Sequence, residues 1–134
     1  MRSIFVNLPV ADPAVSRTFF GALGFSFNEM FSDENTACLV IEENIFAMLM
    51  TPARFADFVE GDVADARKST EVLLALSADS REEVDRLKSA ALAHGGGAWK
   101  PEQDHGFMYG TSFTDPDGHV WEAVWMDMTQ VPGQ

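Results

Sequence analysis

Phe113-Thr-Asp-Pro-Asp-Gly-His-Val-Trp-Glu-Ala-Val-Trp-Met126 reads as a hairpin arm: a strand ending at Thr114, a tight turn over Asp115, Pro116, Asp117 and Gly118, and a strand from His119 to Met126. Side chains alternate faces along a strand, so Val120, Glu122, Val124 and Met126 share one side and His119, Trp121, Ala123 and Trp125 the other. Glu122 therefore sits among apolar neighbours. A carboxylate desolvated there without a partner costs roughly several kcal/mol, which points to a metal ligand, a catalytic group or a paired structural acid.

Upstream, the hairpin closes a longer unit. Val72 to Ala78 reads as a strand, and Ser80 with Glu83 as a capping box. Val84, Leu87 and Ala91 form an inward stripe that ends at Gly95-Gly96-Gly97, before strands near 98–101, 107–114 and 119–126. The same order opens the chain. A strand at 3–9 stops at Pro9, and Asp12-Pro13 caps and starts a helix with Val15, Phe19, Phe20 and Leu23 inward and Gly24 closing it. Strands near 25–31, 36–42 and 45–51 follow, the last two joined by a Glu43-Asn44 turn. Leu8 precedes the cap Asp12 by the same interval as Leu76 precedes the cap Ser80, the mark of a tandem duplication. The fold class is α+β, with residues 1–134 forming one domain of paired βαβββ modules: 1–51, a linker at 52–70, and 71–126. The linker offers at most a short helix carrying Phe55, Phe58 and Val59. It reads as a packed connection, with a mobile lid as the alternative.

Each module alone leaves one face of a twisted sheet bare. Two such faces must be buried against each other or against a second chain, giving a cleft and, we expect, a homodimer. Positions lining that cleft pair by pseudo-symmetry: Phe5 with Leu73 on the first strands, Met48 with Glu122 on the last.

Composition narrows the function. A hydrophobic content of 46%, with eleven Phe, seven Met and three Trp in 134 residues, is ample for a core and a greasy cavity. A formal charge of −12 with nine scattered basic residues argues against nucleic acid and anionic membranes as partners. Cys38 is alone, so no internal disulfide or thiolate zinc cluster is available. No signal-like apolar core or membrane-length run is present in the sequence, from which a cytoplasmic location is expected.

The paired βαβββ order resembles the vicinal oxygen chelate superfamily, which includes glyoxalase I, extradiol dioxygenases and the bleomycin- and fosfomycin-resistance proteins. The residues that carry the resemblance are Leu8-Pro9-Val10-Ala11-Asp12, Leu23-Gly24-Phe25 and Asp115-Pro116-Asp117-Gly118-His119-Val120-Trp121-Glu122. The chain looks most like small bacterial members labelled predicted lactoylglutathione lyases. In metal-using members the resemblance implies four His or Glu ligands near the middle of the first and last strands of each module. Those positions fall here on Phe5, Met48 (or Leu49), Leu73 and Glu122. Of these, Glu122 alone binds a hard or borderline ion, so no metal or other cofactor is expected, with a divalent ion as the alternative.

Further ligand-binding candidates are Asn7, on the same face as Phe5 and able to donate and accept; His105, on a Gly-bounded loop; and Tyr109, sharing a strand face with Phe107. Glu122 is the candidate catalytic group. Trp121 and Trp125 are expected to pack on the helices. No Ser-His-Asp order, Gly-rich phosphate loop or Cys pair supports nucleophilic or nucleotide chemistry. Three functions stay open: a metal-free small-molecule-binding protein, a divalent-metal-dependent lyase (glyoxalase I-like), isomerase or dioxygenase, and a structural or interaction dimer.

Overall fold

The structure, a computed structural model, describes residues 1–130. It divides into two compact units, Met1–Asp65 and a second beginning at Ala66, so the division falls inside the stretch read as a linker. Among the described residues no helix is long and apolar enough to cross a membrane.

The first unit holds β1 (Ile4–Pro9), α1 (Pro13–Ala22), β2 (Ser26–Phe27), a 3-10 turn (Glu29–Phe31), β3 (Thr36–Glu42), β4 (Ile45–Met50) and α2 (Pro52–Ala56). Its sheet runs β1-β4-β3-β2, with β1 parallel to β4 and the other pairs antiparallel. Asp12 caps α1 by accepting from the Ala14 N–H, with Pro13 in the first turn, as the sequence indicates. The buried stripe of α1 is Ser16, Phe19, Phe20 and Leu23, an i, i+3, i+4, i+7 set. Val15, expected inside, is half exposed: it lies one position off that stripe, and the small Ser16 takes the inward place. Leu8, Ala37, Leu39, Ala47 and Leu49 complete the core under α1.

The strand expected over 25–31 ends at Phe27. There the Asn28 side chain accepts from the Met30 N–H and Ser32 Oγ donates to the Asn28 carbonyl, replacing the ladder with a turn. Cys38 is fully buried with its thiol pKa raised by burial, as expected for a small core residue. In the expected linker, α2 is capped by Thr51 and lies against β1, with Phe55 half-buried. Phe58 is exposed beneath the guanidinium of Arg54, 4.5 Å from its ring centre.

The second unit repeats the order: β5 (Leu73–Ser77), α3 (Arg81–Ala93), β6 (Gly97–Ala98), β7 (Gln103–Asp104), β8 (Met108–Thr114) and β9 (Val120–Met126). The sheet runs β5-β9-β8-β6, with β7 also on β8 and β5 parallel to β9. Ser80 Oγ caps α3 at the Glu83 N–H. Glu83 reaches back to the Asp79 N–H, one residue beyond the capping-box partner. Val84, Leu87 and Ala91 are buried, as expected, over Phe113, Trp121 and Ala123 of the sheet.

The strand expected at 98–101 splits into β6 and β7 because Pro101 has no N–H to donate. Ser112 Oγ fills the gap, accepting from the Lys100 N–H at 2.9 Å and donating to the Lys100 carbonyl at 3.3 Å. The duplication is exact in register: Phe5 lies opposite Phe46 as Leu73 lies opposite Val120, and Asn7 opposite Met48 as Ala75 opposite Glu122.

Candidate ligand-binding site

Register fixes which side chains share a face. In the first unit, Ala47 and Leu49 point toward α1, so Phe5, Asn7, Phe46 and Met48 occupy the face of the sheet away from α1. Phe5 is 51% exposed and stacks on Phe46, ring centres 4.8 Å apart and ring planes nearly parallel. Asn7 is exposed and donates to the Phe5 carbonyl at 3.2 Å, which leaves the rest of its amide available. This face is an aromatic plate edged by one amide and one thioether.

In the second unit, Trp121 and Ala123 point toward α3, which puts Leu73, Ala75, Ser112, Val120, Glu122 and Val124 on the helix-free face. Leu73 is 54% exposed and Val120 is buried. Glu122 is half-buried, and its side chain makes no hydrogen bond or ion pair with any described residue. A structural acid would show an Arg or Lys within reach. The Arg and Lys residues paired with acids in this unit serve elsewhere: Arg81 with Asp104, Arg86 with Glu83, and Lys88 with Glu102.

Two of the sequence candidates lie apart from Glu122. Tyr109 pairs with Trp125 across the ladder and so falls on the α3 face, opposite Glu122. Its hydroxyl donates to Asp85 of α3 at 2.6 Å, which pushes the phenol pKa up to about 12. Arg81 lies over both Tyr109 and Trp125, 5.0 Å from each ring centre, and makes two hydrogen bonds to Asp104 and one to the Gly106 carbonyl. Those bonds hold the Asp104 pKa down at about 2 and pin the 103–108 hairpin to α3. His105 sits exposed in that hairpin. The hairpin lies beyond the Met108–Met126 pair, four residues along the ladder from the Ser112–Glu122 pair, or ~14 Å at the usual strand rise.

The sequence reading passed over a second acid. Asp115, 3% exposed, uses one carboxylate oxygen to accept from the N–H groups of Asp117 and His119 and the other to accept from the Trp121 indole at 3.0 Å. Burial raises its pKa, and the nearby His119 and these donors pull it back. The signal was available: an Asp that opens a tight turn accepts readily from the backbone N–H two residues on, and an indole donor follows at Trp121. Lys88 was also unremarked. Its ammonium is largely buried between Glu102, Thr111 and the Ser112 carbonyl, and ties α3 to β8.

The superfamily's metal can be tested against these residues. Phe5 and Leu73 have no donor atom, Met48 offers a thioether, and Glu122 offers a carboxylate. Moving one register step inward adds only the amide of Asn7 and the methyl of Ala75. Among the described residues no three of His, Cys, Asp and Glu converge as a metal site. This set does not fit a divalent ion.

A family model described as bleomycin resistance protein-like N-terminal matches residues 2–42. No curated protein sequence matches the chain. Among solved structures, a hypothetical protein, SA1046, from S. aureus is 26% identical and aligns over 93% of this chain and 94% of its own, with a TM-score of 0.79. A glyoxalase/bleomycin resistance protein/dioxygenase family enzyme from Burkholderia phytofirmans is 20% identical over 91% and 96%, TM-score 0.74. A fosfomycin resistance protein, FosX, from Listeria monocytogenes is 18% identical over 93% of each chain, TM-score 0.66. The chain thus has the fold of the glyoxalase/bleomycin resistance/dioxygenase proteins, the vicinal oxygen chelate fold that its sequence resembles.

Proposed function

We propose that this chain is a glyoxalase/bleomycin-resistance-like protein that binds a small organic molecule without a metal ion, at the helix-free sheet face around Glu122. Phe5, Asn7 and Met48 form the counterpart face in the first unit. The observation that carries this reading is Glu122 itself: a half-buried carboxylate amid Leu73, Val120 and Val124 that no described residue pairs. Such a group is kept at a cost in solvation, and a ligand bearing a cationic or N–H group offsets that cost on binding. The aromatic plate of Phe5 and Phe46 belongs to the first unit's own sheet face, where it offers a flat apolar surface. The wide functional range of proteins sharing this fold means the site, and not the fold, must supply the argument.

A metal-dependent lyase, isomerase or dioxygenase is the competing reading, and elemental analysis of tag-free protein separates the two. After dialysis with zinc, nickel or manganese we expect less than about one tenth of an ion per chain. Stoichiometric metal that Glu122→Ala abolishes would install the lyase reading instead. The protein is further proposed to act as a homodimer, because Ile4 and Phe5 in one unit and Val72, Leu73 and Met126 in the other stay exposed on a single chain. Light scattering should give twice the 14.7 kDa chain mass.

A further inference from the structure

Away from Glu122, the second unit contains a groove of about 540 Å³, within the range of small-molecule sites. One wall is the segment 66–70, the other is 95–99, and the floor is Thr114, Asp115, Pro116 and Gly118. Glu122 is not part of it.

The Asp-Pro-Asp-Gly turn builds the first wall. Gly118 adopts φ +91°, and a Cβ placed there would lie 2.9 Å from Arg67 Cγ and 3.3 Å from the Arg67 backbone nitrogen. Only glycine permits that approach. The Arg67 guanidinium donates to the Pro116 carbonyl and locks the segment onto the turn. The second wall follows the end of α3. Gly95 at φ +103° turns the chain, and the Gly97 N–H is held by Thr114 Oγ1 at 3.1 Å, so glycine backbone lines the groove up to Trp99.

Three features set the chemistry of the groove. Its charged lining residues are Arg67, Lys68 and Asp115, and the Asp115 carboxylate is turned inward and consumed by the Asp117, His119 and Trp121 donors. Lys68 is exposed and pairs with no acid among the described residues. Trp99 is 43% exposed at the rim, beside the hydroxyl residues Ser69 and Thr70. The net charge of −12 does not exclude an anion here. At 0.15 M salt the Debye length is about 8 Å, so distant carboxylates are screened while direct contact with an ammonium is not.

We propose that this groove is a second ligand site, which takes a small planar organic anion: its carboxylate or phosphate on Lys68 and the Ser69–Thr70 hydroxyls, its planar body on the Trp99 indole.

The test is an NMR titration of the ¹⁵N-labelled full chain at 0.15 M salt with naphthalene-1-carboxylate, and with naphthalene-1-carboxamide as its neutral match. The carboxylate should shift the Trp99 indole N–H and the amides of 68–70 and 95–98 saturably, binding about tenfold or more tighter than the carboxamide. Lys68→Glu should weaken the carboxylate by a similar factor, and Trp99→Ala should weaken both probes. Glu122→Gln should leave the titration unchanged, so failure of the groove and failure of the Glu122 site read out separately. No saturable shift in the wild-type protein up to about 10 mM (a Kd weaker than roughly −3 kcal/mol of binding) would overturn the proposal. Equal binding of the two probes, or wild-type binding by Lys68→Glu, would do so as well.

Discussion

Removing the Asp115 carboxylate should unfasten the hairpin that closes the second unit. Asp115→Ala removes the acceptor used by three donors: the Asp117 and His119 amides and the indole N–H of Trp121, a residue 1% exposed. An orphaned buried donor costs about 1–3 kcal/mol, and Trp121 falls in that class because no water reaches it. The two turn amides lie next to the half-buried Pro116 and Gly118 and regain some hydration, so they cost about 0.5–1 kcal/mol each. Against this, the variant no longer buries a charge, and the raised Asp115 pKa shows that its ionised form is strained by burial. The net loss should be about 3 kcal/mol, or roughly 10 °C in thermal midpoint for a chain of this size. Asp115→Asn should fall between the two, because an amide group supplies one acceptor and sets an N–H₂ against either the indole or the turn amides. Urea denaturation of the three proteins followed by tryptophan fluorescence gives the free energies. A loss below about 1 kcal/mol for Asp115→Ala would refute this account of the turn.

The Gly118→Ala variant should lose about 1–3 kcal/mol in urea denaturation, because its backbone lies at φ +91° and its Cβ strikes Arg67. Adding Arg67→Ala should restore only part of the loss, since the Arg67 backbone nitrogen also lies within 3.3 Å. Arg81→Gln should change the acid limb of stability. Its hydrogen bonds hold Asp104 at about 2, below the ordinary carboxylate value, so their contribution is full above about pH 4 and is lost as pH falls toward 2. Thermal midpoints of wild type and Arg81→Gln should therefore converge over that interval, and a constant gap would contradict the assignment.

The regular parts of this fold were legible because they rest on local chemistry. Asp12-Pro13 and Ser80 cap their helices, Pro9 ends the first strand, and Gly24 and Gly95 take the positive φ that follows each helix. The duplication then gave the Phe5–Leu73 and Met48–Glu122 equivalences. What escaped depends on partners far along the chain. The 98–101 strand is broken by Pro101, but its repair by Ser112 is visible only across the sheet. Tyr109 was assigned to the site on the strength of its strand neighbours, whereas its face is set by register with Trp125 and by Asp85 of α3. Three carboxylates, Asp115, Asp117 and Glu122, stand close together in one motif, and alternation drew attention to Glu122. Asp115 proved to be a buried and paired acid, and Glu122 the one without a partner among the described residues. Distinguishing them required the positions of every Arg, Lys and N–H around each, which is tertiary information.

The central claim is that Glu122 anchors a small-molecule ligand, and a fragment screen by ¹H–¹⁵N NMR on wild type and Glu122→Gln tests it most directly. Cationic and N–H-bearing planar fragments should shift the amides of Leu73, Ala75, Ser112, Val120 and Val124, the residues that share its face. Replacing the carboxylate should weaken those fragments by about tenfold or more while leaving neutral apolar ones little changed. If no fragment perturbs that face, or if Glu122→Gln binds every fragment as the wild type does, Glu122 is not the anchor and the claim is contradicted.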